Sequence, residues 1–413
     1  MVRLWMLLLA VLACPRHALA QDPATGGGEA SATRAGALVA QRAAREAGLH
    51  PDEPGRLERL LVWAEHSHLV ERLNPPEGFY PVAGGIVRGS AMGLGLGYRR
   101  RPAAGRVLLD TSAAMSYRGY RSLQVGAGLP SMARRPVDLQ TGVRWFDYPQ
   151  EDFYGLGRRT AEADRVSFTL RGTDTFAQVL GRRARWFVAR ARIGVLRFGL
   201  HPGADNRFPS IEERFTDADA PGLDDAPTLR YAESSVCVDT RDQPGNTRGG
   251  GLYTVSMGAF RSGTTGRFDF NRVDVKLMHV FPIFDKKRAI ALHALASRLD
   301  PAGDARVPFF LMPTVGGNDS LRGYRDFRFR DVAAVNLNAE YRWEAFSGLD
   351  LALFVDAGDV GPSWRSIVGA HMRSSWGVGF RFNTNRRVFL RVDVAGGREG
   401  PRIWTSLGPV FRR

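Results

Sequence analysis

The stretch that decides the fold runs from Val307 to Gly361: VPFFLMPTVGGNDSLRGYRDFRFRD (307–331), VAAVNLNAEYRWE (332–344) and, four residues later, LDLALFVDAGDVG (349–361). In the first piece Pro308, Pro313, Gly316, Gly317, Asn318, Asp319 and Gly323 break any regular period, which reads as a loop. The other two pieces alternate at period two, as strands do. Val335, Leu337, Ala339, Tyr341 and Trp343 fall on one face of the first strand, and Asn336, Asn338, Glu340 and Arg342 on the other. In the second, Leu351, Leu353 and Val355 oppose Ala352, Phe354 and Asp356. Glu340 and Asp356 therefore share a polar face on adjacent strands, just downstream of a loop that carries Arg322. A guanidinium offers a planar fork suited to such a carboxylate pair.

These residues also carry a resemblance. GGNDSLRGY (316–324) is similar to the conserved loop of the Omp85 superfamily, the bacterial surface antigen D15 group of BamA/TamA-type outer-membrane barrels. NAEYRWE (338–344) and LFVDAGDVG (353–361) resemble the two strand motifs that follow it, and FYGLG (153–157) and DTRDQPGNTRGG (239–250) are further family-like pieces. The resemblance covers Phe79 to Phe411. It implies an all-β fold: a transmembrane antiparallel barrel of 16 strands with the long loop folded into its lumen. It also implies a loop lock, in which Arg322, with Gly323 and Tyr324, meets Glu340 and Asp356. Gly316 and Gly317 would be the loop's hinge, and the Phe309–Phe310 pair a wedge against the wall.

Composition agrees with an exported barrel. Beyond the N-terminus no window approaches 18 uninterrupted apolar residues, which excludes a helical membrane protein but not a barrel, whose alternating strands give a weak hydropathy signal. The formal net charge is +15, and only three of the 57 basic residues are Lys (Lys276, Lys286, Lys287). The arginines are spread through alternating strands rather than gathered on one helix, which argues against nucleic acid as a partner. Residues 1–20 read as an export signal, with Arg3 before the apolar run Leu4–Ala13 and Ala18-Leu19-Ala20 as the cleavage site. A competing reading takes Val11-Leu12-Ala13-Cys14 as a lipobox with Cys14 lipidated. With Cys14 in the signal, Cys237 stands alone and no intramolecular disulfide forms in the mature chain.

Residues 21–78 read as a flexible segment followed by an amphipathic helix near 56–73, where Leu57, Leu60, Leu61, Ala64 and His68 recur at helical spacing before Pro75-Pro76. His66 and His68 are two apart and do not share a helix face, so a metal site is not expected there. Fewer than 60 residues separate the signal from Phe79, too few for the POTRA domains common in the family. The barrel reads as 79–413, with strands near 79–88, 90–100, 106–117, 120–129, 136–147, 165–177, 184–199, 228–240, 250–262, 267–280, 287–299, 332–344, 349–358, 373–383, 387–396 and 402–411. The last strand resembles an assembly signal whose aromatic, Phe411, is followed by two arginines.

Asp239–Gly250 reads as a tight, self-bonded turn at the short-turn end, with a calcium or phosphate site as the lesser reading. No G-x-S-x-G, H-E-x-x-H or Walker motif is present, so neither catalysis nor a cofactor is expected. The resemblance implies a protein of the bacterial outer membrane that contacts its lipid and assists insertion or translocation of client outer-membrane or secreted proteins. A separate periplasmic partner is a further possibility. The alternative is a passive pore or structural barrel, which large and steady conductance would reveal.

Overall fold

A computed structural model describes residues 75–130, 137–263, 266–284, 286–346, 348–368, 372–384 and 387–408, together with Gln41 and Arg59. The export signal, the segment after it, the helix near 56–73 (Arg59 aside) and Phe411 lie outside the described residues.

Sixteen strands form one antiparallel sheet in chain order. They are β1 (Gly78–Gly84), β2 (Gly93–Arg100), β3 (Leu108–Ser116), β4 (Arg121–Leu129), β5 (Val137–Phe153), β6 (Val166–Ala184), β7 (Phe187–Pro202), β8 (Thr228–Asp239), β9 (Gly250–Arg261), β10 (Phe270–Ile283) and β11 (Arg288–Pro301). After the long loop come β14 (Ala333–Phe346), β15 (Leu349–Gly361), β16 (Arg373–Asn383), β17 (Val388–Gly396) and β18 (Arg402–Leu407). Inside that loop β12 (Thr314–Val315) and β13 (Phe329–Arg330) pair as a small separate ribbon, too short to leave a period-two signal in the sequence. A five-residue helix, Trp364–Val368, follows β15.

The alternation expected from sequence is the alternation observed. Leu337, Leu353, Val355, Val378 and Val394 are exposed on the outer face, and Asn338, Glu340, Asp356, Arg381 and Asp393 are buried on the inner one. The apolar band thus faces outward, as a barrel in lipid requires. Connections at one end are short, and those at the other run to 203–227 and 302–332, which marks the long-loop end as extracellular.

Two strands are longer than the sequence suggested. β5 continues to Phe153 rather than stopping at 147, and β6 to Ala184 rather than 177. The far part of β5 loses its alternation because it is covered on both faces. Ala204 N–H donates to the Pro149 carbonyl at 2.9 Å, a bulge separates Tyr148 from Glu151, and the inner side joins an aromatic core with Tyr120, Phe168, Ile211 and Phe309. Conversely β1 ends at Gly84, four residues short of the expected 88.

Contacts across the lumen show that the sheet curls into a nearly closed barrel. At the extracellular end Arg158 pairs with Asp359 on β15, and Glu162 meets Arg402 of β18 at 3.2 Å. At the other end the 240–249 turn bonds to itself, as expected, through the Asp242 carboxylate. It also reaches across the mouth: Asn246 Nδ2 donates to the Thr384 carbonyl at 2.8 Å, Val388 N–H to the Gly245 carbonyl at 3.0 Å, and Arg248 pairs with Asp350 at 2.7 Å. Among the described residues no ladder joins β1 to β18.

Candidate functional site

The loop between β11 and β14 enters the barrel and is held at opposite walls. On one wall Phe309 is fully buried, 4.9 Å from the Phe153 ring and 5.0 Å from Phe168, while Phe310 lies 4.9 Å from Phe198. Arg330 Nη1 donates to the Phe309 carbonyl at 2.8 Å, and the Arg330 carbonyl accepts from Gly157 N–H at 2.8 Å. The FYGLG segment is therefore part of the loop's seat. On the other wall Tyr324 packs with Val315, Leu321, Phe329, Ala334 and Val360.

Arg322 lies between these anchors, against the wall formed by β14–β17, and the structure brings it together with Glu340 and Asp356. Its Nε and Nη2 donate to Asp356 at 3.0 and 2.7 Å, its backbone N–H to the same carboxylate at 3.1 Å, and its Nη1 to Glu340 at 3.1 Å. The guanidinium also stacks on Phe354, 3.3 Å from the ring centroid. All three charged side chains are at most 1 % exposed, so their charges are balanced by neighbouring protein groups rather than by water. Burial alone would pull the Arg322 guanidinium down. The hydrogen bonds and charge of Asp356, with Glu340 and Asp393, outweigh it and hold the group above its ordinary value.

Beyond Arg322, Glu340 and Asp356 the cluster takes in Arg381, Arg342, Arg391 and Asp393. Arg381 bonds to both Glu340 oxygens at 3.0 Å and to Asp393 at 2.5 Å, Arg342 bonds to Glu340 at 2.7 Å, and Arg391 forms an ion pair with Asp393 at 3.0 Å. Asn338 and Ser375 complete Asp356 at 2.8 and 3.1 Å. Trp404 on β18 donates its indole N–H to the Arg322 carbonyl at 2.7 Å, which ties the last strand to the loop. Arg381, Arg391 and Asp393 all face inward, alternating with outward neighbours such as Val378 and Val394. Which of them touch is decided by register and curvature.

The glycines answer to local geometry. A Cβ on Gly323 would come within 2.6 Å of Ser375 Cβ and 2.8 Å of the Gly396 carbonyl, so only glycine lets the loop approach the wall this closely. Gly316 and Gly317 have φ of 122° and 91°, and a Cβ on Gly316 would lie 2.3 Å from the Arg325 carbonyl. Asp326 packs over Gly317, and burial pushes its carboxyl up to about 6, with Arg88 opposing the shift. A carboxyl raised in the folded state binds its proton more tightly there than in the unfolded chain. Stability should therefore rise as pH falls through 6 toward the ordinary carboxylate value of about 3.9. Unfolding midpoints across pH 4–8 are expected to show this slope in the parent and a flatter profile in Asp326→Asn. Identical profiles would remove Asp326 as the cause.

A cavity of about 810 Å³ lies between the loop and the β6–β11 wall, with Arg190, Arg272, Lys276, Asp274 and His293 among its lining. Among the described residues no cluster of three His, Cys, Asp or Glu side chains could hold a metal ion.

A family model described as the Omp85 superfamily domain matches residues 130–396. No curated protein matches the chain by sequence. Among solved structures, BamA from Haemophilus ducreyi lacking POTRA domains 1–3 superposes with a TM-score of 0.58 at 15% identity, over 80% of this chain and 68% of that one. CdiB from Escherichia coli gives 0.50 at 12% identity, over 81% of this chain and 63% of its own. With the family model spanning the loop between β11 and β14 and both strands that follow it, the chain belongs to the Omp85 superfamily, as a barrel of the bacterial outer membrane.

Proposed function

We propose that this barrel assists the insertion or translocation of client proteins at the outer membrane through a weak seam between β1 and β18. The observation that carries this reading is the state of that seam. Its two strands are the shortest of the sixteen, at 7 and 6 residues within the described chain, and no ladder connects them. An unpaired strand edge is a template for another strand. The Arg322 cluster supports one side of this edge, because it grips β14 to β17 directly and β18 through Trp404. On this reading Arg322, Gly323, Tyr324, Glu340 and Asp356 form a lock that fixes the loop and the last strand while the first strand is left free to part.

The passive-pore reading calls for an open lumen, and the geometry disfavours it. The loop crosses the lumen between its two anchors, and the 154–165 and 240–249 connections cross the two mouths. The test is site-specific photocrosslinking in cells at Phe79 and Ile403, both exposed on the outer face beside the seam. Capture of unfolded outer-membrane or secreted proteins is expected at these two sites and not at Val255, which faces lipid far from the seam on β9. Equal capture at all three sites, or none at any, would reject the seam as the working surface.

A further inference from the structure

Four arginines stand on the outward face of four neighbouring strands at the extracellular rim: Arg171 on β6, Arg197 on β7, Arg230 on β8 and Arg261 on β9. Parity fixes the face, since Val179, Ile193, Val236 and Met257 on the same sides of the same strands are exposed. In register Arg230 lies directly opposite Arg261, and Arg197 lies opposite Thr228, two residues from Arg230. Like charges placed directly across a ladder repel, and the neighbouring lipid strengthens that repulsion. Asp147 answers Arg171 at 3.1 Å. Arg261 is occupied by the Phe260 and Phe270 carbonyls at 2.8 and 3.0 Å, by Asn271 at 3.0 Å and, at 3.9 Å, by Asp269. Among the described residues no carboxylate pairs with Arg197 or Arg230.

Immediately toward the membrane interior the same outer wall is indented. A groove of about 980 Å³ has a floor of Ala177, Ala191, Ala232 and Ala259 and flanks that include Ile193 and Met257. Ala232 is two residues from Arg230 on the same face, and Ala259 two from Arg261, so the groove starts roughly 7 Å from the arginines.

We infer that rim and groove together bind a phosphate-bearing lipid of the outer leaflet, with its phosphate between Arg197 and Arg230 and its acyl chains along the groove. A guanidinium pair matches phosphate bidentately. In lipid the apolar groove gains nothing from leaving water, so it contributes close packing and the headgroup supplies the selection.

The test uses the full chain in phosphatidylcholine nanodiscs doped with bis-phosphorylated lipid A, with retained lipid counted by native mass spectrometry. The parent is expected to keep lipid A against excess phosphatidylcholine, and retention should fall about tenfold in R197Q/R230Q, equivalent to losing one or two charge-assisted bonds. Ala232→Trp, which fills the floor and leaves the charges, should lower retention about threefold, a loss of well under the tenfold equivalent. Inorganic phosphate at millimolar concentration should displace nothing. Undiminished retention in R197Q/R230Q barrels that still migrate as folded without heating overturns the proposal. So does displacement by inorganic phosphate, which would mark a free-anion site. Should the double variant not fold, the Ala232→Trp result and the phosphate competition decide it.

Discussion

Alanine at position 322 is expected to cost the folded barrel about 3–5 kcal/mol, the range typical when one partner of a buried charge set is removed. The asymmetry of the cluster explains the size. Glu340 keeps Arg381 and Arg342, and Asp393 keeps Arg381 and Arg391, but among the described residues Arg322 is the one cation paired with Asp356, which then retains the neutral donors Asn338, Ser375 and the backbone N–H of residue 322. The loss should accordingly shrink in Arg322→Ala/Asp356→Asn, where the stranded charge is also removed. Arg322→Lys should fall between, because a point charge cannot bridge Asp356 and Glu340 as the fork does. Urea midpoints of the refolded barrel, read as the change in unheated gel mobility, measure the stability. Proteolysis between 314 and 332 reports the loop. An Arg322→Ala barrel with parental midpoint and parental loop protection would show that the cluster holds nothing in place.

The second large effect is expected on the opposite wall. Truncating Phe309 to alanine removes a fully buried ring from contact with Phe153, Phe168 and Phe310, and comparable core truncations cost about 3–5 kcal/mol. Arg322 and Phe309 share no partner, so the two losses should add to within about 0.5 kcal/mol. Proteolysis separates them: Phe309→Ala should expose 302–313 while the Arg322 end stays protected, and Arg322→Ala the reverse. If either variant frees the whole loop at once, the loop docks as a single cooperative unit and the two-anchor picture fails.

Much of this architecture is local and was therefore legible in the sequence. Period-two alternation placed Asn338, Glu340 and Asp356 on one face and Leu337, Leu353 and Val355 on the other, because a strand's pleat sends successive side chains to opposite sides whatever else it touches. The alternation failed where a second layer covers the strand, and β5 beyond Tyr148 is the clear instance: with both faces buried, the residues no longer differ in what they need to be. The Asp239–Gly250 turn illustrates the other limit. Its self-bonding follows from its composition, but its reach to Thr384 and Asp350 depends on the sheet's curvature, which no short stretch encodes.

By itself the sequence determined where most strands run, which side chains share a face, and the proximity of Glu340 and Asp356, since each rests on spacing along one chain segment or two adjacent ones; which face points inward came from the loop and strand motifs and the export signal. Tertiary structure alone decided that Arg381, Arg391 and Asp393 join Arg322, that Trp404 ties the last strand to the loop, and that four outward arginines gather beside an apolar groove. Those contacts join residues that are neighbours only after many registers have been added around the barrel, and a shift of one residue in any of them would turn the side chains to the other face.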